Sequence, residues 1–208
     1  MTRCFGLILA GGQARRMGGV AKPLIEVGGA PILEHLLRRL APQCLRLALN
    51  ANGDPSRYAD FHLPIVADEV KGFAGPLAGV LAGLDHVAAH FPDVPLMLSV
   101  PADTPFVPLD LAARLASARA EAKAEIAVAK SGDRVHHAVA LWPVALREEL
   151  RHALVKEDLR KVSGFIERYA NAQVEWRVDP YDPFFNVNRP EDVEQAERIA
   201  AGPEAHGA

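Results

Sequence analysis

Hydrophobic positions in the first half of the chain fall into short solid runs, separated by stretches with helical spacing. Phe5 to Ala10 is apolar throughout and is closed at once by Gly11 and Gly12, a pattern that suits a strand buried on both faces. After a loop to Lys22, PLIEVGGAP carries a Gly28-Gly29 turn, and Pro31 stands in the first turn of an amphipathic helix, ILEHLLRRL. LRLALN, ending at Asn50, predicts a second strand, and Leu63 to Ala67, ending at Asp68, a shorter third. Gly75 and Pro76 open a helix that keeps Leu77, Val80, Leu81 and Leu84 on one face and runs to about His90. Leu96 to Val100 predicts a fourth strand leading to Asp103, and Pro108 to Lys123 a further helix rich in alanine and leucine.

Strand and helix alternate through this half, which implies a mainly parallel sheet covered by helices on both faces. From Glu125 the pattern loosens. IAVAK and HAVALW form an antiparallel pair, ALREELRHAL and LRKVSGFIERYA are helical, VEWRV is a late strand and YDPFFNVN a loop. RPEDVEQAERIA closes the chain as a helix with proline and acids in its first turn. The expected fold class is therefore α/β: a single Rossmann-like domain over residues 1–200, with a small antiparallel addition in the C-terminal half and a disordered tail at 201–208.

Composition narrows the partners. The chain has 208 residues, half of them hydrophobic, enough for one sizeable core. A net charge of −3 provides no global field for a polyanion, so nucleic acid is excluded as the main partner and any phosphate must be held locally. Cys4 and Cys44 lie in apolar runs and match neither a zinc pattern nor a disulfide framework, so they read as core thiols in a reducing cytosol. No stretch approaches the ~18 apolar residues of a membrane span, and FGLILA is too short for a signal peptide. A soluble, cytoplasmic protein without a membrane partner is expected.

Every proposed parallel strand ends in residues foreign to a core. Leu9 and Ala10 lead into glycines, and the next three strands lead to Asn50, Asp68 and Asp103. In an open parallel sheet those ends face one crevice, where ligands bind. The first loop, LAGGQARRMGGVAK, combines four glycines with two arginines and a lysine: glycines admit backbone N–H groups to a phosphate chain, and the cations neutralise it. A basic surface turn has the same composition, and the loop matches neither a P-loop nor a dinucleotide fingerprint.

Asp103 lies in VPADTPF between two prolines, suited to Mg²⁺, which takes one or two carboxylates and completes its shell with water and phosphate oxygens. A helix-capping role for Asp103 or Thr104 fits less well before Pro105 and Pro108. Asn50 and Asp68 are the residue types that form turns, and also those that read guanine, whose edge offers donors at N1 and N2 and an acceptor at O6. Asn186 and Asn188 in FFNVNRPED are one residue apart, so along an extended segment both can meet one ligand; turns use the same residues. His136 and His137 are adjacent in a strand and point to opposite faces, which argues against a shared metal. The charged stretch around Arg160 and Lys161 is a solvated helix face that leaves both as phosphate-contact candidates.

These segments together resemble the molybdenum cofactor guanylyltransferases, the MobA-type branch of the glycosyltransferase-A-like nucleotidyltransferases, over about residues 5 to 200. The resemblance implies that Leu9, Ala10, Gly11 and Gly12 contact the guanine nucleotide, with Arg16 and Lys22 near its phosphates. It matches Asn50 and Asp68 to further nucleotide contacts, Asp103 to the Mg²⁺ aspartate, and Asn186 and Asn188 to a pair lining the catalytic and pterin side. Gly75, Pro76, Leu77 and Gly79 match the loop and helix start beside the nucleotide. One departure stands out: the family often has an aspartate where this chain has Ala21.

The implied reaction transfers GMP from GTP to the terminal phosphate of Mo-molybdopterin. Residues 1–123 would form the nucleotide-binding half and 124–200 the acceptor-binding half of a monomer that meets other cofactor-biosynthesis proteins and recipient molybdoenzymes. Lys22, Arg16 and Asp103 would carry catalysis. Rival readings are a sugar-phosphate or cytidylyl transferase on the same sheet, and a non-catalytic nucleotide or pterin carrier.

Overall fold

Strand β1 (Cys4–Leu9) lies inside a seven-stranded sheet, and its side chains alternate strictly between two cores. Cys4 and Ile8 pack on one face and Phe5 and Leu7 on the other, so both faces need cover and the strand reads as a solid apolar run. The computed structural model describes residues 3–11, 21–70 and 75–202.

The remaining elements follow in chain order. A two-residue hairpin, β2 (Glu26–Val27) and β3 (Ala30–Pro31), turns at Gly28 and Gly29 and leads into α1 (Ile32–Leu40). Then come β4 (Leu47–Asn50), β5 (Ile65–Val66), α2 (Pro76–His90), β6 (Leu96–Pro101) and α3 (Leu111–Glu121). The second half holds β7 (Ile126–Ser131), β8 (Arg134–Pro143), α4 (Arg147–Glu157), α5 (Val162–Ile166), β9 (Asn171–Trp176) and α6 (Pro190–Ala200). Strand order is β5-β4-β1-β6-β8-β7-β9.

Helices cover the two faces as expected. Ile32, Leu33, Leu36 and Leu40 of α1, with Leu111 and Leu115 of α3 and Ala196 of α6, fill one core. Leu77, Val80, Leu81 and Leu84 of α2 join Leu150 and Leu154 of α4 and Phe165 of α5 in the other. Full burial of each such leucine, isoleucine or phenylalanine contributes about 1.5–3 kcal/mol. Cys4 and Cys44 are buried free thiols with their sulfurs 3.9 Å apart, in the core as their apolar runs imply.

The second half refines the expectation. The antiparallel strand β8 is inserted in the middle of the sheet, antiparallel to both β6 and β7, and β9 then pairs parallel with β7. The pairing of β7 with β8 breaks between Val128 and Ala129: Val128 faces Ala140, but Ala129 faces His136, which leaves His137 to Val139 as an unpaired bulge. Ser99 anchors it, its hydroxyl donating to the Ala138 carbonyl at 2.7 Å while accepting from the Trp142 indole at 2.8 Å.

Strand β9 begins at Asn171, three residues before VEWRV, because the polar segment NAQ is recruited by register to β7. The helix expected over LRKVSGFIERYA is shortened to Val162–Ile166, where Phe165 and Ile166 bury. Ala201 and Gly202 close α6 through bonds to the carbonyls of Glu197 and Ile199. Residues 203–208 of the expected tail lie outside the described residues.

Candidate active site

The carboxyl ends of β1, β4, β5 and β6 converge, and backbone hydrogen bonds carry the sheet one residue past β1, β4 and β6. The Ala10 N–H donates to the Asn50 carbonyl at 2.8 Å, Ala102 to Leu9 at 2.9 Å, and Ala51 to Val66 at 3.2 Å. Above them lies a cavity of about 590 Å³ whose walls include Leu9, Ala10, Gly11, Lys22, Asn50 and Asp103. That volume is in the range of small-molecule sites. Ala21 and Gly75 line it as well. The Gly12 and Arg16 positions lie outside the described residues.

Asn50 is 2% exposed and donates its amide to the Val66 carbonyl at 3.0 Å and to Asp68 Oδ1 at 2.9 Å. Asp68 Oδ2 accepts from Asn52 at 2.8 Å, and the Asp68 N–H donates back to Asn52 Oδ1 at 3.0 Å. Asp68 thus fixes both asparagine amides, while Asn50 and Asn52 themselves line the cavity. Asn52 escaped the sequence reading. Its spacing of two from Asn50 was the available signal, concealed because the chain leaves the strand at Asn50.

Gly75 opens α2 with φ +148°, a backbone state that side chains disfavour, and Pro76 occupies the first turn. The positive end of this helix lines the cavity beside Asn50, which suits an anion. Gly79 permits the close approach: a Cβ there would lie 2.3 Å from Asn50 Oδ1 and 3.0 Å from a Leu9 methyl.

Two side chains from distant parts of the chain, Lys22 and Asn186, meet at Asp103. Lys22, at the start of a short 3-10 turn, donates to Asp103 Oδ2 at 3.0 Å and to the side-chain oxygen of Asn188. Asn186 donates to Asp103 Oδ1 at 2.9 Å and to the Thr104 hydroxyl at 3.0 Å. Between the asparagines, Val187 is fully buried and its N–H donates to the Asp103 carbonyl at 2.8 Å, so the flanking side chains turn the other way, Asn186 onto Asp103 and Asn188 onto Lys22. Asn188 is fixed in turn by Asp192, whose carboxylate accepts from its N–H at 2.8 Å. Thr104 is fully buried and orients Asn186, a role its place next to Asp103 did not reveal.

On the far side of Asp103 a second cavity, of about 310 Å³, reaches the β8 bulge. The two cavities share Pro101, Asp103 and Ala138. His136 is 8% exposed, shares a 2.7 Å hydrogen bond with Ser131 and packs on Phe184 at 4.8 Å between ring centroids. Burial pushes its pKa down to about 4, aided by the charges of Arg134 and His137 and opposed by Asp182, so it is neutral near pH 7. No cluster of three potential His, Cys, Asp or Glu metal ligands occurs among the described residues. None of the described helices is long and apolar enough to cross a membrane.

A model of the MobA-like NTP transferase domain family matches residues 6–173. The molybdenum cofactor guanylyltransferase of Rhodopseudomonas palustris (strain BisB5) is 60% identical over 194 residues, which cover 93% of this chain and 92% of that protein. The protein of the same name from Bradyrhizobium sp. (strain ORS 278) is 57% identical over 196 residues, covering 94% and 92%. Among solved structures, the molybdopterin-guanine dinucleotide biosynthesis protein A of Archaeoglobus fulgidus shares the fold, with a TM-score of 0.72 at 22% identity over 95% of this chain and 98% of that one.

Proposed function

The chain belongs to the molybdenum cofactor guanylyltransferase family, and from that membership and the site geometry we propose that it transfers GMP from GTP to the terminal phosphate of Mo-molybdopterin, releasing pyrophosphate. The observation that carries this reading is the junction at Asp103. A nucleotide-sized cavity and a second, smaller one meet at a single carboxylate held by Lys22 and Asn186, with Asn188 in turn holding Lys22.

The acceptor phosphate oxygen attacks the α-phosphorus, and the bond from that phosphorus to the pyrophosphate oxygen breaks. A phosphate monoester is already ionised at neutral pH, so no strong general base is required. The protein must align two anions and offset their repulsion. Leu9, Ala10 and Gly11 with Asn50 bind the guanosine end, Asp68 fixes the Asn50 and Asn52 amides, and the α2 terminus faces the phosphates. Lys22 offsets the charge that moves onto pyrophosphate, and Arg16 is assigned to the same phosphates by family resemblance. Asn186 holds the acceptor side of Asp103 in place, and Asn188 holds Lys22 beside it.

Mg²⁺ suits this donor set. Asp103 contributes the one carboxylate of the junction, its two oxygens now bonded to the Lys22 ammonium and the Asn186 amide, and Mg²⁺ takes one or two carboxylates and completes its shell with water and phosphate oxygens. Held by Asp103, the ion supplies charge neutralisation on the substrate phosphates. The same reading makes the protein a cytoplasmic monomer that hands its product to other cofactor-biosynthesis proteins or recipient molybdoenzymes.

The deciding assay follows pyrophosphate release from GTP and Mg²⁺ with molybdopterin and with a sugar 1-phosphate in parallel. Turnover with molybdopterin alone is expected. Transfer to the sugar phosphate alone, or to neither, overturns the proposal.

A further inference from the structure

Arg134 opens β8, just after the hairpin turn at Gly132, and its side chain is exposed at the mouth of the second cavity. Its guanidinium donates to Asn186 Oδ1 at 3.3 Å, and the same Asn186 amide donates to Asp103 Oδ1 at 2.9 Å, so Arg134 stands one side chain away from the reaction centre. Among the described residues it has no ion-pair partner, in contrast to Arg147 and Arg151, which are tied to acids of α2 and α4. The adjoining His136 is neutral at pH 7. Among the described residues that line this cavity, Arg134 is therefore the permanent cation, whereas the larger cavity has Lys22 and Arg57.

The bulge gives the cavity its form. Three unpaired residues, His137 to Val139, push the β8 backbone out of register with β7, and pairing of β8 with β6 stops at Ser99. Bulges re-aim strands beside active sites, and here the opening lies between the two strand ends, with Asp103 at its floor. A phosphate entering it meets the Asp103 carboxylate and needs an opposing charge. A guanidinium provides that charge and a planar fork for two phosphate oxygens.

We infer that the second cavity receives the terminal phosphate of the acceptor and that Arg134 clamps it, turning from Asn186 to the phosphomonoester when the acceptor enters. The inference rests on the proposed transfer reaction and adds to it the group that selects a phosphomonoester acceptor. A cavity of about 310 Å³ accommodates a phosphate and the ring next to it, which leaves the rest of a larger acceptor on the surface formed by β8 and the loop after β9.

The test compares wild type with Arg134→Gln and Arg134→Lys, using both molybdopterin and a sugar 1-phosphate as acceptors at saturating GTP and Mg²⁺. Binding of molybdopterin to protein loaded with a non-hydrolysable GTP analogue is followed in parallel by pterin fluorescence. For whichever phosphomonoester the wild type uses, R134Q should raise KM at least tenfold and weaken acceptor binding equally, with GTP affinity unchanged and R134K intermediate. An unchanged acceptor KM, or a loss confined to kcat that marks Arg134 as only a prop for Asn186, overturns the inference while the transfer reaction stands. A wild type that uses only the sugar phosphate overturns the pterin assignment and still judges Arg134 on that substrate. A wild type that uses neither overturns both.

Discussion

Lys22 Nζ lies 3.0 Å from Asp103 Oδ2, although the two residues are 81 positions apart in the chain. Their side chains keep 27% and 17% of their exposure, so the pair sits at a wet junction where it can open to receive substrate phosphates. Solvent still reaches this part-buried pair, so its contribution to stability lies nearer the ~1 kcal/mol of surface pairs than the several kcal/mol lost when a fully buried pair is broken.

Asp103→Ala should therefore abolish pyrophosphate release from GTP and molybdopterin, a loss of at least about a hundredfold, while the melting temperature moves by only a few degrees. Lys22→Ala should reduce kcat on the same scale. Calorimetry alongside the pyrophosphate assay separates the effects, and turnover surviving in D103A would remove Asp103 from the metal-binding role.

A ligand bound only by the folded protein raises its stability by about 2.7 kcal/mol at a hundredfold excess over the dissociation constant. GTP with Mg²⁺ should raise the melting temperature more than CTP, UTP or ATP. Equal protection by all four nucleotides contradicts guanine recognition at Asn50 and Leu9 to Gly11.

Gly79→Ala sets helix propensity against packing. Alanine gains about 1 kcal/mol in a helix interior, but its Cβ would meet Asn50 Oδ1 at 2.3 Å and Asn50 Cγ at 2.9 Å. Overpacking of this kind costs about 1–3 kcal/mol, and Asn50 is pinned by Val66 and Asp68, so it has little room to yield. Net destabilisation in urea and weakened GTP binding are expected. An unaltered nucleotide affinity would show that Asn50 does not contact the base.

His136 makes stability depend on pH in a defined window. Its pKa falls from 6.5 to about 4 on folding, chiefly through burial, so the unfolded chain binds more protons between those values. The contribution is complete above pH 6.5, declines as pH falls and is lost below pH 4. Its full size is about 3 kcal/mol at 1.36 kcal/mol per unit. His136→Gln, which keeps a hydrogen-bonding group near Ser131, should flatten the stability profile between pH 6.5 and 4, measured by urea unfolding across that range.

Local pattern was enough for the architecture of the first half. Solid apolar runs from Phe5 and Leu96 become β1 and β6, and ILEHLLRRL becomes α1 over its full length, because strand and helix periods are properties of neighbouring residues. Strand ends were legible for the same reason: Asn50, Asp68 and Asp103 interrupt apolar runs where a parallel sheet opens its crevice. Even the paired asparagines declared themselves, since alternation about Val187 is written in FNVN.

What no local pattern contains is which distant groups meet. Lys22 reaches Asn188 across 166 positions and Asn186 reaches Asp103 across 83, and only the strand order brings those loops to one point. The same holds for Asn52, whose amide is fixed by Asp68 from a neighbouring strand end, and for Arg134, whose place beside Asn186 follows from the insertion of β8 beside β6. Hydrophobic period, set between neighbours, determined the elements; hydrogen-bond partnership, set by topology, decided the site.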